Sequence, residues 1–349
     1  MSWTSSEDSR PNSQPSVLSL AVIGIPLLRF VDLYPQRQVL QYINREFPFF
    51  PTRLSHIVAK TTSPQEQPLS PIRLFLLTAL AMMAFAGNSL FCRIALKHTS
   101  IDAASFTAIR LVSGALMLWL LTISSRDKRV GHGNWPSAVA LFAYAAAFSF
   151  AYLSLTAATG ALLLFAAVQA TMISYGIARG ERLGGTQLAG LVLALAGVVW
   201  LLLPGLAAPP LVGSLLMMGA GVAWGVYSLR GRGGGAPLKV TAGNFLRAAP
   251  ISLALCLAMI GQQNLDLVGS LYAVASGALT SGVGYAIWYT ALPALKATHA
   301  ATIQLSVPAL AAAGGIIFLG EAISLRLALA SMAILGGIAL VIKGKQDGS

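Results

Sequence analysis

Between residues 130 and 178 the chain contains no Lys, Arg, Asp or Glu, and between 183 and 229 it again contains none. Stretches of this length leave too few charged groups to cover a water-exposed globule, so the solvent for most of this chain is lipid. The whole sequence agrees: 56% of residues are hydrophobic, 10% are charged, and mean hydropathy is +0.73. A soluble domain carries roughly 25% charged residues.

A bilayer core needs about 20 apolar residues per helix. The spans predicted on that basis are 74–96, 104–124, 136–155, 159–178, 186–203, 211–229, 240–260, 268–292, 297–319 and 324–342. TAATG at 156–160 divides one long run and PGLAAPP at 204–210 divides the next, because Pro and Gly end helices. A third turn, GQQNLD at 261–266, carries only Asp266. These three turns hold no Lys or Arg. The alternate turns hold Arg126, Lys128 and Arg129; Arg179 and Arg182; Arg230, Arg232 and Lys239; and Lys296, while Arg73 precedes the first span and Lys343 and Lys345 follow the last. Positive charge is retained on the cytoplasmic face. Both ends of the membrane core are therefore expected in the cytoplasm, with Lys97 and Arg326 as the exceptions on outer turns.

The net charge of +12 follows this loop pattern and forms no basic helix with interleaved aromatics, which argues against a nucleic-acid partner. The two cysteines, Cys92 and Cys256, lie in apolar runs and suggest neither a disulfide framework nor a metal site. Residues 1–70 differ in composition, mixing acids and bases with Ser, Pro and Gln. Their best apolar run, 17–28, is too short to span, and Glu7 and Asp8 stand where a signal peptide would be basic. A disordered extension is expected there, with an interfacial helix or partner-binding arm as the alternative.

GERLGGTQLAGLVLALAGVVWLL (180–202) aligns without gaps on GEAISLRLALASMAILGGIALVI (320–342), matching Gly180–Glu181 to Gly320–Glu321 and Gly197 to Gly337. The chain thus reads as an all-α membrane protein of ten spans in two five-helix repeats, 73–203 and 211–343. An odd number of spans per repeat turns the second upside down. Inverted repeats around a midplane site are common in secondary transporters.

At the end of the first span, FAGNSLFCRIAL (85–96) resembles the W-G-x-N-x-x-x-x-[KR]-x-A-L pattern of EamA-type members of the drug/metabolite transporter superfamily, with Asn88 and Arg93 in register and Phe85–Ala86 in place of Trp-Gly. AWGVYSLR (223–230) is the similar segment of the second half, and YAIWYTALPALKATHAATIQLSVPAL (285–310) resembles the eighth and ninth helices. Val168 stands in the fourth helix where Pro308 stands in the ninth, a departure from a symmetric gate. The resemblance implies ten helices, cytoplasmic termini and the export or exchange of metabolites, with no fixed substrate.

None of the 11 acidic residues falls in a span interior; Glu181 and Glu321 stand at helix junctions, where a helix dipole would favour their charge. A proton-coupling carboxylate of the kind used by small multidrug exporters is therefore not expected, which leaves His299 or exchange. Candidate substrate-binding residues are the mid-span amides Asn88, Gln169 and Gln304, the aromatics Trp224, Tyr227, Tyr285 and Trp288, and the embedded bases Arg110 and Arg247. Amides buried in hydrocarbon need partners, and each competes with a plain interhelical bond. Aromatics can stack on a solute or simply pack. The bases either snorkel or face a cavity, and bases without acids favour an anionic or zwitterionic solute. Asn244, one turn before Arg247, is placed to hold it.

The expected activity is secondary transport of a small metabolite across the cytoplasmic (inner) membrane. A lipid-linked flippase or a non-transporting scaffold on the same fold is the alternative. A membrane enzyme fits less well: there is no H-E-x-x-H or G-x-S-x-G, and His56, His98, His132 and His299 are scattered. No catalytic residue, metal or cofactor is expected. The expected partners are the lipid bilayer and a small-molecule solute, with pairing into a homodimer left open.

Overall fold

The computed structural model describes residues 69–124, 131–180, 182–205, 208–231, 236–295 and 297–347. Residues 1–68, where the disordered extension was expected, lie outside the described residues, as do Arg126, Asp127, Lys128, Arg129, Glu181, Arg232 and Lys296.

Among the described residues, ten helices are long and apolar enough to cross a membrane: α1 (Pro71–His98), α2 (Ala103–Ile123), α3 (Trp135–Tyr152), α4 (Ala157–Ala178), α5 (Gly185–Leu202), α6 (Leu211–Arg230), α7 (Pro237–Ala258), α8 (Leu267–Ala294), α9 (His299–Leu319) and α10 (Leu325–Gly344). Several of their starts are fixed by side chains that accept from otherwise unpaired backbone N–H groups. Asp102 accepts from Ala104 and Ser105 at 2.9 Å, Asn134 from Ser137 at 2.9 Å, and Asp266 from Gly269 at 2.7 Å. Gly320, with φ of 60°, ends α9 in the left-handed conformation that glycine tolerates.

The main helix pairings display the repeat. α5 lies along α10, α2 along α7, and α4 against α9. α3 packs on α6 as α8 packs on α1; α4 packs on α6 as α9 packs on α1; α2 packs on α8 as α7 packs on α3. Exchanging each helix for the one five further on leaves this set unchanged, as expected for two inverted five-helix repeats. Lipid offers no hydrophobic drive between helices, so close approach relies on small residues. A Cβ on Gly190 would lie 2.5 Å from the Gly337 carbonyl, so α5 and α10 touch backbone to backbone. Leu188, Val199, Ile317, Phe318 and Met332 face outward.

Two spans are less regular than hydropathy implies. The middle of α8, Ala275–Val283, is π-helical, with Gly277 lodged against the Arg110 carbonyl and Ser113 of α2. Such insertions often mark functional sites. α9 breaks at Leu305 into Ala297–Gln304 and Ser306–Leu319. Pro308 has no N–H to give the Gln304 carbonyl, and its ring crowds that carbonyl. α4, with Val168 at the corresponding place, runs unbroken.

Candidate functional site

A cavity of about 1040 Å³ occupies the centre of the bundle. Its rim is made where α4 ends (Gly176, Arg179), α5 begins (Gln187), α6 ends (Gly231), α7 begins (Pro237), α8 ends (Leu292) and α10 ends (Ile342). These ends all belong to the side of the basic turns. No lining residue comes from the turns 99–102, 153–156, 203–210, 259–266 or 320–324 on the opposite side. The cavity is therefore open at the basic end and blind at the other.

The blind end is polar and tightly bonded. Asn88 Nδ2 donates to Tyr144 Oη at 3.1 Å, joining α1 to α3. Its Oδ1 accepts from Ser276 Oγ at 2.7 Å and from Thr280 Oγ1 at 3.4 Å, both on the π-helical part of α8. One wall is aromatic. Trp224 stacks on Tyr285 (centroids 5.6 Å apart, 15° between planes) and on Tyr227 (5.2 Å, 28°), and lies 4.9 Å from the Tyr144 ring. Phe85 meets Tyr285 and Trp288 at 5.8 and 6.0 Å. Nearer the mouth, Asn244 Nδ2 donates to Tyr227 Oη at 3.4 Å, and Thr241 pairs with Tyr289 at 3.1 Å.

The structure brings Asn88, Gln169, Gln304, Trp224, Tyr227, Tyr285 and Trp288 together on this cavity. The amides of Gln169 and Gln304 line it without a hydrogen-bond partner among the described residues. The two arginines part company. Arg247 lies outside the lining, where Nη1 donates to the carbonyls of His132 and Gly243. Asn244 does not hold it; its Oδ1 instead accepts from Asn134 N at 2.8 Å. Arg110 neither snorkels nor reaches the cavity surface. It is 2% exposed, behind Tyr144 and Phe148, and Nη2 donates to Tyr144 Oη at 2.9 Å.

Tyr144, Phe85, Thr241, Thr280 and Tyr289 also line the cavity and were not anticipated. A tyrosine in mid-span is itself a signal, since a buried phenol needs a partner. Among the lining residues Arg179 is charged and none is Asp or Glu. Among the described residues no cluster of three His, Cys, Asp or Glu side chains is placed to hold a metal ion.

The closed side holds a buried ion pair. Arg93 Nε donates to Glu321 Oε1 at 3.0 Å, with the two side chains 10% and 6% exposed. Glu321 Oε2 accepts from Ala157 N at 2.8 Å, and Arg93 Nη1 donates to the Tyr152 carbonyl at 2.8 Å. Glu321 thus serves the start of α4 rather than of α10, correcting the reading of it as a cap of the helix it precedes. The pair fastens α1, the α3–α4 turn and the α9–α10 turn together.

The profile of the EamA-like transporter family matches residues 73–203 and again 211–343. An uncharacterized protein of Pseudomonas aeruginosa is 60% identical over 271 residues, covering 77% of this chain and 94% of that one. The threonine/homoserine exporter RhtA of Salmonella typhimurium is 34% identical over 142 residues, covering 38% of this chain and 46% of the exporter. A solved crystal structure covering 79% of this chain and 99% of its own superposes with a TM-score of 0.55 at 22% identity, which shows the fold alone. With both repeats matched, the chain belongs to the EamA-like transporter family.

Proposed function

We propose that this multi-pass membrane protein is a secondary carrier that moves a small anionic or zwitterionic metabolite across the cytoplasmic membrane by alternating access, in export or exchange. The observation that carries this is the blind-ended cavity, which opens at the basic end and is closed at the other, on the side where the Arg93–Glu321 pair is buried. The positive-inside rule assigns the basic end to the cytoplasm, so this conformation is the one that loads from inside. Release requires the buried pair to part and the mouth to close, each repeat supplying the gate for one side. The volume suits a small metabolite with some of its water. The acid-free lining disfavours cationic cargo. RhtA, named for threonine and homoserine, makes those two amino acids the first to test.

The test is flux of radiolabelled threonine, homoserine and a wider metabolite panel in proteoliposomes, with and without a pH gradient. Saturable flux is expected, and Asn88→Ala and Gln169→Ala should lower it while still inserting. Flux no greater than in protein-free liposomes across the panel would refute the carrier and leave a lipid-linked flippase or a scaffold.

A further inference from the structure

Arg110 is the bulkiest fully buried side chain among the described residues, and no carboxylate pairs with it. Arginine stays protonated in proteins. Its Nε and Nη1 have no hydrogen-bond partner among the described residues, and its guanidinium carbon lies over the rings of Tyr144 (5.1 Å) and Phe148 (4.9 Å). Rings compensate a cation only in part. An unpaired charge this deep is costly to keep, and an embedded ionisable residue points to function.

The single polar bond of Arg110 leads to the cavity. Tyr144 Oη accepts from Arg110 Nη2 at 2.9 Å and from Asn88 Nδ2 at 3.1 Å. The contacts of Asn88 are those of an amide whose oxygen is turned to Ser276 and whose nitrogen is turned to Tyr144. Its contact with Ser276 Oγ is 2.7 Å, typical of O–H···O, while the one with Tyr144 is 3.1 Å, within the N–H···O range. Asn88 therefore offers Tyr144 its N–H. With two donors already on the phenol oxygen, the Tyr144 hydrogen has no acceptor among the described residues, and the residue lines the cavity. Two incoming donors, one of them cationic, polarise that O–H into a strong donor. Its best complement is an anionic oxygen.

We infer that the Tyr144 hydroxyl anchors a carboxylate of the transported solute at the blind end of the cavity, with Arg110 as a buried positioning residue acting through it. The bound anion is then the counter-charge that Arg110 lacks. The carbon skeleton of the solute lies against Trp224, whose ring is 4.9 Å from that of Tyr144. This rests on the carrier reading and names the group that the carrier selects.

The test compares threonine with threoninamide, and lactate with lactamide, which differ in the free carboxylate and, between the pairs, in the amine. Binding is read from Trp fluorescence in detergent and flux from proteoliposomes. Wild type should prefer each acid to its amide. Tyr144→Phe should raise KM for the acids about 10- to 100-fold, the loss of one bond to a charged group, and leave the amides within about threefold. Arg110→Met should do the same, while the empty protein unfolds no more readily than wild type, because an uncompensated charge has been removed; a merely structural arginine would destabilise it. Equal effects on acids and amides, or no binding of either acid to wild type, overturns the anchor. Carboxylate-selective binding without flux keeps the anchor and sinks the carrier; flux of acids and amides alike does the reverse.

Discussion

Replacing Glu321 by Gln removes one charge and almost no volume, so its cost can be worked from the contacts of one carboxylate. The amide oxygen of Gln can still accept from Ala157 N, as Oε2 does at 2.8 Å. What vanishes is the negative partner of Arg93, whose Nε sits 3.0 Å from Oε1 in a site where the two side chains are 10% and 6% exposed. Breaking a buried pair from one side costs about 3–5 kcal/mol, because the remaining charge is stranded. Removing both charges strands nothing. In Arg93→Met/Glu321→Gln the residual loss is the donor to the Tyr152 carbonyl, about 1–3 kcal/mol. The double variant should therefore be more stable than Glu321→Gln alone. Equilibrium unfolding in mixed micelles gives the order directly. The same stranding should weaken the closed side, so an impermeant maleimide added outside should reach Cys92, fully buried one residue before Arg93, faster in Glu321→Gln. A double variant as unstable as the single one, or more so, would refute the argument that the cost lies in a stranded charge.

Gly337→Val places a Cβ 2.5 Å from the Gly190 carbonyl and 2.6 Å from Ala194 N, forcing α10 off α5 at a cost of about 1–3 kcal/mol; Gly336→Val, with nothing within 4 Å, is the internal control and should be tolerated in the same unfolding assay. At Asp102, partial burial pushes the carboxyl up, but hydrogen bonds from the Ser105 side chain and backbone and from the Asn264 and Ala104 amides outweigh it and hold the group below its ordinary value. A lowered value means that the stabilisation is present above the usual carboxylate range, about pH 3.9, and is lost as pH falls through the depressed one. Asp102→Asn should flatten the fall in stability as pH drops below about 4; an unchanged slope would show that other groups carry the acid limb.

How far the sequence could be read depends on whether a property is local. Hydropathy is local, so the charge-free runs set the spans to within a few residues. The π-helical part of α8 is not visible that way, although ASGALTSGV, rich in Gly, Ser and Thr, fills it. Pro308 did announce the break in α9, because its effect on the Gln304 carbonyl is built into the backbone. The two embedded arginines mark the limit. Arg110 and Arg247 sit at similar depths in cognate helices, yet Arg247 finds the His132 carbonyl beside it and Arg110 finds only Tyr144. Helix rotation and the neighbour's sequence decide between them, and neither can be read from a single segment. Arg93 and Glu321 lie 228 residues apart and meet only because the repeats interlock.

Lipid forces every mid-span polar group to find a partner, so such residues announce contacts without saying which ones. What separates scaffold from site is the part of that demand the protein leaves unmet. The Asn88 amide is spent on Tyr144 and Ser276, which makes it a brace at the cavity's end. The amides of Gln169 and Gln304, the hydrogen of Tyr144 and two nitrogens of Arg110 are not spent on any described residue. Three of these four side chains line one cavity and the fourth touches it through Tyr144. A packed core would leave such demands unmet only at a loss in stability. A carrier leaves them for its cargo.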